Sequence, residues 1–269
     1  MLDACVESVL AAGDADHVIV VDNGGRAIVD NNVDLLRPPR NVGFGGGANA
    51  GFRRAVELGA TSMALLNDDI VVEVGWLRPL LAALDSDPTL GAVQPKLLLA
   101  GSDPARINSV GVVLDRDGAG IDLGYGEVDG PQFETDSAIE SFTGGAVLFR
   151  SKFLQTTGGF DEAYFLYYED LDLAQRGAAL GWTYRCVPAS KVWHRVSAST
   201  SRLGDRARYL QERNRLRFSF RFGDVATVGH ALWLSIRRLR WKPRFTHARA
   251  LLVGLGCAPA ALLARLRSR

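Results

Sequence analysis

Short apolar runs that stop in polar residues alternate with amphipathic stretches along most of the chain. The first run, residues 17–23 (HVIVVDN), has the unbroken apolar character of a strand covered on both faces, and it ends at Asp22 and Asn23. Residues 33–37 (VDLLR) read as a second strand, 61–69 (TSMALLNDD) as one that ends in acids, and 91–99 (GAVQPKLLL) and 140–150 (ESFTGGAVLFR) as two more. Helical spacing fills residues 5–12, residues 48–59, where Gly59 supplies the stop, and residues 75–84. Residues 101–140, rich in Gly and Asp, read as loops with short strands. A short helix, the loop 158–168 (GGFDEAYFLYY), a helix from about Glu169 and extended segments at 183–188 and 191–195 follow. From Asp205 onward the pattern is helical. Such an alternation predicts an α/β domain with a mostly parallel, Rossmann-like sheet flanked by helices, in which ligands sit beyond the carboxyl ends of the strands.

Composition changes this picture in one respect. The net charge of the 269 residues is only +1, but residues 202–269 hold 16 Arg/Lys against 3 Asp/Glu, which leaves 15 against 27 for the rest. An acidic body therefore carries a strongly basic tail of the kind that contacts an anionic partner. Cys5, Cys186 and Cys257 are too few and too far apart for a disulfide framework and suit a reducing compartment. The opening residues (MLDACVESVL) lack the basic leader and apolar run of a signal peptide.

Five stretches carry candidate chemistry. Residues 41–52 (NVGFGGGANAGF) place Gly43, Gly45 and Ala48 at the G-x-G-x-x-A spacing of a dinucleotide-binding loop, with Asp68 lying 25 positions after Gly43 as a loose match for the ribose-binding acid. Asp22 and Asn23, at a strand end before Gly24 and Gly25, suit either a turn or bonds to a nucleobase or ribose. In LLNDDI, Asn67 and Asp69 share one face of an extended chain and Asp68 the other, an oxygen cluster suited to Mg²⁺ or Mn²⁺ that completes its shell with phosphates, or else a solvated turn. In FLYYEDLDL, aromatics lead into Glu169, Asp170 and Asp172. Rings can stack on the apolar faces of a sugar while acids bond its hydroxyls or act as a general base, and acids equally favour a helix N-terminus. His194, in KVWHR, is one of four histidines.

Taken in order, VVDNGG, NVGFGGGANAGF, LLNDDI, FTGGAVLFR, GGFDEAYFLYYEDLDLAQRGAALGW and VPASKVWHRVSAST resemble the family 2 glycosyltransferases of the GT-A fold, on the rhamnosyltransferase-like branch that builds bacterial cell-surface polysaccharides. The resemblance spans roughly residues 2–220. It implies a nucleotide-sugar site of Asp22, Asn23, Asn41, Gly43, Phe44, Gly47, Asn49, Asn67 and Asp68, with Asp22 on the base and Asn49 near the ribose or diphosphate. Asp69 and His194 would meet the metal, Mg²⁺ or Mn²⁺. Asp170 would be the catalytic base, with Glu169 beside it, and Gly144, Gly145 and Tyr168 would line the acceptor or donor sugar. The implied reaction is an inverting transfer from a dTDP- or UDP-linked sugar, rhamnose first, to a glycan or lipid-linked acceptor. Two departures stand out: Asn67 takes the place of the first acid of the family's D-x-D element, and the chain begins at the helix after the family's first strand, so the expected sheet lacks that strand.

The resemblance assigns residues 1–222 to the transferase domain and 223–269 to a basic helical tail. The apolar run 250–264 is shorter than the ~20 residues that span a bilayer and contains Pro259, so the expectation is an interfacial helix on the inner face of the bacterial membrane, with the protein cytoplasmic and no nucleic acid as partner. Two other readings remain at this stage, an NAD-type oxidoreductase built on the glycine loop and a truncated, non-catalytic nucleotide-binding protein.

Overall fold

The computed structural model describes residues 1–25, 27–29, 33–115, 118–195 and 204–267. Helix α1 (Leu2–Ala12) ends at Gly13, whose left-handed φ of 63° lets its N–H close on Val9. Strands β1 (Ile19–Val21) and β2 (Asp34–Leu36) precede α2 (Gly43–Glu57), then come β3 (Ser62–Leu66), β4 (Ile70–Val72), α3 (Leu77–Ser86) and the long β5 (Leu90–Leu99). The segment read as loops supplies β6 (Ile107–Ser109), β7 (Val112–Leu114), β8 (Gly120–Asp122) and β9 (Ser137–Ile139). After β10 (Ala146–Arg150), α4 (Ser151–Thr157), α5 (Glu169–Ala179) and β11 (Thr183–His194), the chain is helical: α6 (Asp205–Phe222), α7 (Val225–Arg238), α8 (Arg244–Gly256) and α9 (Ala258–Arg267).

The main sheet runs β3-β10-β5-β11-β4, with β6 added on β5 and β9 on β11. The α/β class holds, but the sheet is mixed rather than mostly parallel. Parallel pairing is confined to β5 with β11 and to the separate β1–β2 pair, and β10 lies antiparallel between β3 and β5. Within residues 101–140 short returns, not crossover helices, make antiparallel neighbours of β5 and β6 and of β7 and β8. β1 and β2 pair with each other and not with the larger sheet, where the sequence predicts one continuous sheet short of its first strand.

β5 sits at the centre, buried at all positions but its last. Its Lys96 is fully buried and reaches Asp129 Oδ1 at 2.8 Å and Glu134 Oε1 at 2.6 Å, which compensates the charge. The two extended segments expected at 183–188 and 191–195 form one strand, broken in register between Val187 and Lys191 where Pro188 cannot donate to the ladder. One face of the sheet packs Ile70, Trp76, Leu80, Leu97 and Val192 under α1 and α3. The other holds an aromatic core of Phe52, Phe142, Phe149, Phe153, Phe160 and Tyr184, with rings edge-on at 5.1 Å between Phe142 and Phe149.

Helices α7 to α9 dock on α6 through Leu216, Phe220, Ala231 and Ala261. Gly254 of α8 lies so close that a Cβ there would sit 2.6 Å from Leu216, and buried His247 places Nδ1 2.7 Å from Glu212 Oε1. Among the described residues no single helix is long and apolar enough to cross a membrane; α8 and α9, bent by 42°, meet that length and composition only as a pair.

Candidate active site

The acidic turn of residues 67–69 lies at the end of β3 and carries the chain to β4. Asn67 N–H donates to Gly145 O at 2.9 Å, and Asp69 O accepts from Arg195 N–H at 2.9 Å, so the turn is tied both to the start of β10 and to the end of β11. Asp68 is exposed, Asn67 half-buried and Asp69 only 5% exposed. The expected split of Asn67 and Asp69 from Asp68 therefore holds in burial.

His194, the last residue of β11, brings Nε2 to 3.1 Å from Asp69 Oδ1. Its Nδ1 lies 2.6 Å from Asn108 Oδ1, an oxygen that can only accept, so the ring proton sits on Nδ1. On a neutral ring, Nε2 then presents a lone pair to a buried carboxylate oxygen that receives no hydrogen bond from the described residues. Two acceptors at this separation require a cation or a proton between them, and carboxylate with imidazole is a donor set that Mg²⁺ or Mn²⁺ accepts. The residues thus fit a divalent ion whose other positions are filled by ligand and water, because among the described residues no three His, Cys, Asp or Glu side chains converge to hold one alone. A cavity of about 450 Å³ opens beside His194 and residues 99–102.

Asp170 stands at the N-terminus of α5. Its Oδ2 accepts from Gly144 N–H at 3.1 Å and its Oδ1 from Leu171 N–H at 2.8 Å, which fixes the carboxylate beside the bend between Phe142 and β10. Burial pushes the Asp170 carboxyl above its ordinary value against the pull of these N–H groups. Glu169, 5% exposed, is pushed well above the carboxylate range, first by burial and then by the charge of Asp170, and its Oε2 has no hydrogen-bond partner among the described residues. Of the pair, Glu169 is the one shut inside and Asp170 the one bonded to Gly144.

The loop before α5 is held in a strained form. Phe165, Tyr167 and Tyr168 all have positive φ, near 70°, and Phe165 centres a tight turn closed by Leu166 N–H on Tyr164 O at 2.9 Å. Helix α6 clamps this loop. The buried Asn214 points Nδ2 at the carbonyls of Tyr164, Leu166 and Tyr167 at 2.8–2.9 Å, and Arg213 donates to Tyr164 O at 2.6 Å. The Tyr168 ring packs on Phe218 of α6 at 5.6 Å.

The glycine-rich stretch serves a different purpose from the one its spacing predicts. It opens α2 rather than forming a loop ahead of it, and Asn41 Oδ1 caps the start by accepting from Gly43 N–H at 2.9 Å. A Cβ on Gly43 would lie 2.3 Å from Phe165 O, and one on Gly45 would lie 3.0 Å from Phe160, so both glycines admit the aromatic loop. Gly47 faces Asn23, whose amide bridges Gly43 O at 2.7 Å and Val42 N at 2.9 Å, and Phe44 N–H donates to Phe165 O at 2.7 Å. Asn49, expected near the ribose or diphosphate, donates to Phe160 O and Glu162 Oε1 and accepts from Phe160 N–H, which satisfies the polar backbone of the incoming loop. Asp22 accepts from Gly24, Gly25 and Ala27 N–H and from Arg37 Nε, the turn-forming role that sequence left open beside base binding.

Two neighbours escaped sequence reasoning. Asn108 orients His194, and the carboxyl of Asp122 is raised by burial and by the charge of Asp170, with His194 opposing. Both come from the irregular segment 101–140, where no periodicity marks them. Of the last motif, residues 196–200 lie outside the described residues.

Comparison with known proteins accords with this geometry. Residues 1–98 match the model of Glycosyl transferase family 2. N-acetylglucosaminyl-diphospho-decaprenol L-rhamnosyltransferase of Mycobacterium tuberculosis is 29% identical, with 69% of this chain and 68% of that protein aligned. The comparisons support a transferase whose first 98 residues carry the family 2 glycosyltransferase pattern and which is similar to a rhamnosyltransferase. Solved structures agree on the GT-A fold of this glycosyltransferase: GalNAc-T7 with UDP, GalNAc and Mn²⁺ (TM-score 0.65, 14% identity, 94% of this chain and 52% of that one) and the Pyrobaculum calidifontis mannosyltransferase PcManGT with GDP-Man and Mn²⁺ (TM-score 0.52, 14% identity, 98% and 84%). The transferase thus spans about half the length of the first of these structures. None of these relatives supports the dinucleotide oxidoreductase reading.

Proposed function

We propose that this glycosyltransferase moves a sugar, rhamnose from dTDP-rhamnose as the first candidate, onto a hydroxyl of a glycan or lipid-linked acceptor with inversion, at the inner face of a bacterial membrane. The observation that carries the reading is the juxtaposition of Asp69 Oδ1 and His194 Nε2 at 3.1 Å. The curated relative is by its name an L-rhamnosyltransferase acting on an N-acetylglucosaminyl-diphospho-decaprenol acceptor, which supports rhamnose as the sugar and a lipid-linked acceptor.

Asp170 accepts the proton of the acceptor hydroxyl as that oxygen forms its bond to the anomeric carbon, and the bond from that carbon to the nucleoside diphosphate breaks. Gly144 and Leu171 N–H groups aim the two carboxylate oxygens, and burial raises the proton affinity that a base needs. Asp69 and His194 would hold a divalent cation, which when bound supplies the positive charge that offsets charge on the departing diphosphate. Gly144 N–H reaches Asp170 and Gly145 O holds Asn67 N–H, which ties the acidic turn and the base to one bend, while Asn23, Asn41 and Asn49 brace the glycine-rich start of α2. Apolar residues exposed on the basic tail, Trp233, Trp241 and Phe245 among them, suit contact with a membrane surface.

A donor panel tests the reading. dTDP-rhamnose, UDP-galactofuranose and UDP-glucose are incubated with the full chain, with and without Mn²⁺ or Mg²⁺, and release of nucleoside diphosphate is followed. Cation-dependent turnover of one donor is expected; no turnover and no cation-dependent binding of dTDP or UDP would contradict it.

A further inference from the structure

Outside the cleft of Asp69 and Asp170, α6 and α8 enclose a cavity of about 490 Å³ that none of the chemistry above uses. Its basic lining follows from helical spacing: Arg206, Tyr209 and Arg213 lie three and four residues apart on α6, and Arg249 comes from α8. Arg249 stacks over the Tyr209 ring at 4.8 Å and Arg213 approaches the same ring at 5.8 Å, while Arg206 stacks over Phe165 at 4.9 Å. Arg213 is committed to the carbonyls of the aromatic loop, but Arg206 and Arg249 are exposed and form no ion pair among the described residues. The one carboxylate on the lining is Asp205. Arginines stacked on rings have lost part of their rotamer freedom already, and the planar guanidinium matches phosphate oxygens two at a time.

Position gives this patch its meaning. Phe165, which walls the cavity, is the residue whose carbonyl holds Phe44 N–H and whose tight turn leads into Asp170, so the cavity adjoins the transfer site through a single loop. The other wall, α8, carries Phe245 at 93% and Leu252 at 69% exposure. A charged group held between Arg206 and Arg249 therefore has the base loop on one side and exposed apolar surface on the other.

We propose that this cavity is an anion site for the phosphate or diphosphate group of the acceptor, separate from the place of the donor's nucleoside diphosphate. The proposal deepens the transferase reading and rests on it for the word acceptor. The shared chemistry is a phosphate-bearing group, and its source is either a lipid-linked diphosphate or a soluble phosphorylated molecule.

The test is titration calorimetry on the full chain, saturated with dTDP and Mn²⁺ so that the donor side is filled. Geranyl diphosphate and inorganic pyrophosphate are the probes, and wild type is compared with Arg206→Gln/Arg249→Gln. Both side chains are exposed, so the double variant is expected to keep the melting temperature. Its affinity for geranyl diphosphate should fall roughly tenfold or more, the loss of charge-assisted hydrogen bonds, while dTDP affinity stays unchanged. Tighter binding of geranyl diphosphate than of pyrophosphate supports the lipid-linked source, and equal binding supports a soluble one. Equal geranyl diphosphate affinity in wild type and variant, or a parallel loss of dTDP affinity, would overturn the proposal. If wild type never binds dTDP but the double variant still loses geranyl diphosphate, the donor reading fails and the anion site stands.

Discussion

The glycine-rich start of α2 and the acidic turn after β3 look alike in sequence, each a polar or flexible segment after an apolar strand, yet they do opposite things. At α2 every polar side chain the sequence singles out is satisfied by the protein itself: Asn23 by Val42 and Gly43, Asn41 by Gly43, Asn49 by Phe160 and Glu162. At the acidic turn the bonding is incomplete, with the buried Asp69 Oδ1 facing an acceptor nitrogen of His194 and receiving no hydrogen bond from the described residues. Glycine spacing reports close approach of backbone to something, and here that something is the aromatic loop. A binding site is better marked by polar atoms that the fold leaves short of partners.

The sharpest way to break the comparison is at the base. Asp170→Asn keeps one of the two bonds accepted from Gly144 and Leu171 N–H through its remaining oxygen, loses the other, and cannot take a proton. Turnover should drop about 10²–10⁴-fold with the melting temperature retained; near-normal turnover would remove Asp170 from its role. Next comes Asn108→Ala, which frees the His194 ring. Cation affinity should weaken about 10–100-fold, measured by Mn²⁺ titration, and an unchanged affinity would mean that His194 needs no orienting partner.

On the other side of the comparison, Asn49→Ala should cost stability rather than chemistry. It leaves the Phe160 amide and carbonyl without their partner, at about 2–3 kcal/mol, or roughly 4–10 °C in melting temperature. Affinity for dTDP with Mn²⁺ at a temperature where the variant is folded should be unchanged, and a selective loss of that affinity would return Asn49 to the ligand.

The smallest effects are in pH. As the proposed base Asp170 would work deprotonated, and its carboxyl is raised, so kcat/KM should fall on the acid side at a pH above the ordinary aspartate range. Glu169 is also raised, so the folded state holds a proton that the unfolded chain has lost. Stability is complete below the unfolded carboxylate value and declines as pH climbs through the raised one. Glu169→Gln should flatten that decline in melting temperature between acidic and neutral pH; an unaltered slope would place its cause elsewhere.

Much of this site is legible in the chain because strand ends announce themselves. LLNDDI and KVWHR each close an apolar run, and YYEDLDL opens a helix, so Asp69, His194 and Asp170 stand out in the chain itself. What sequence could not reveal is direction and satisfaction. Residues 101–140 lack periodicity, which hid both the antiparallel returns and the roles of Asn108 and Asp122. Asn214, set among arginines in α6, carries no sequence mark of its role, yet it is fully buried against three carbonyls. An asparagine that binds a ligand and one that binds a loop carry the same chemistry, and only the fold separates Asn49 from Asn67.

The central claim, that the acidic turn and not the glycine stretch receives nucleotide and cation, is tested most directly by Mn²⁺ binding in the presence of dTDP, read by electron paramagnetic resonance. Bound Mn²⁺ should be seen in wild type and in Asn49→Ala and be lost in Asp69→Asn. Retention in Asp69→Asn together with loss in Asn49→Ala would contradict the account.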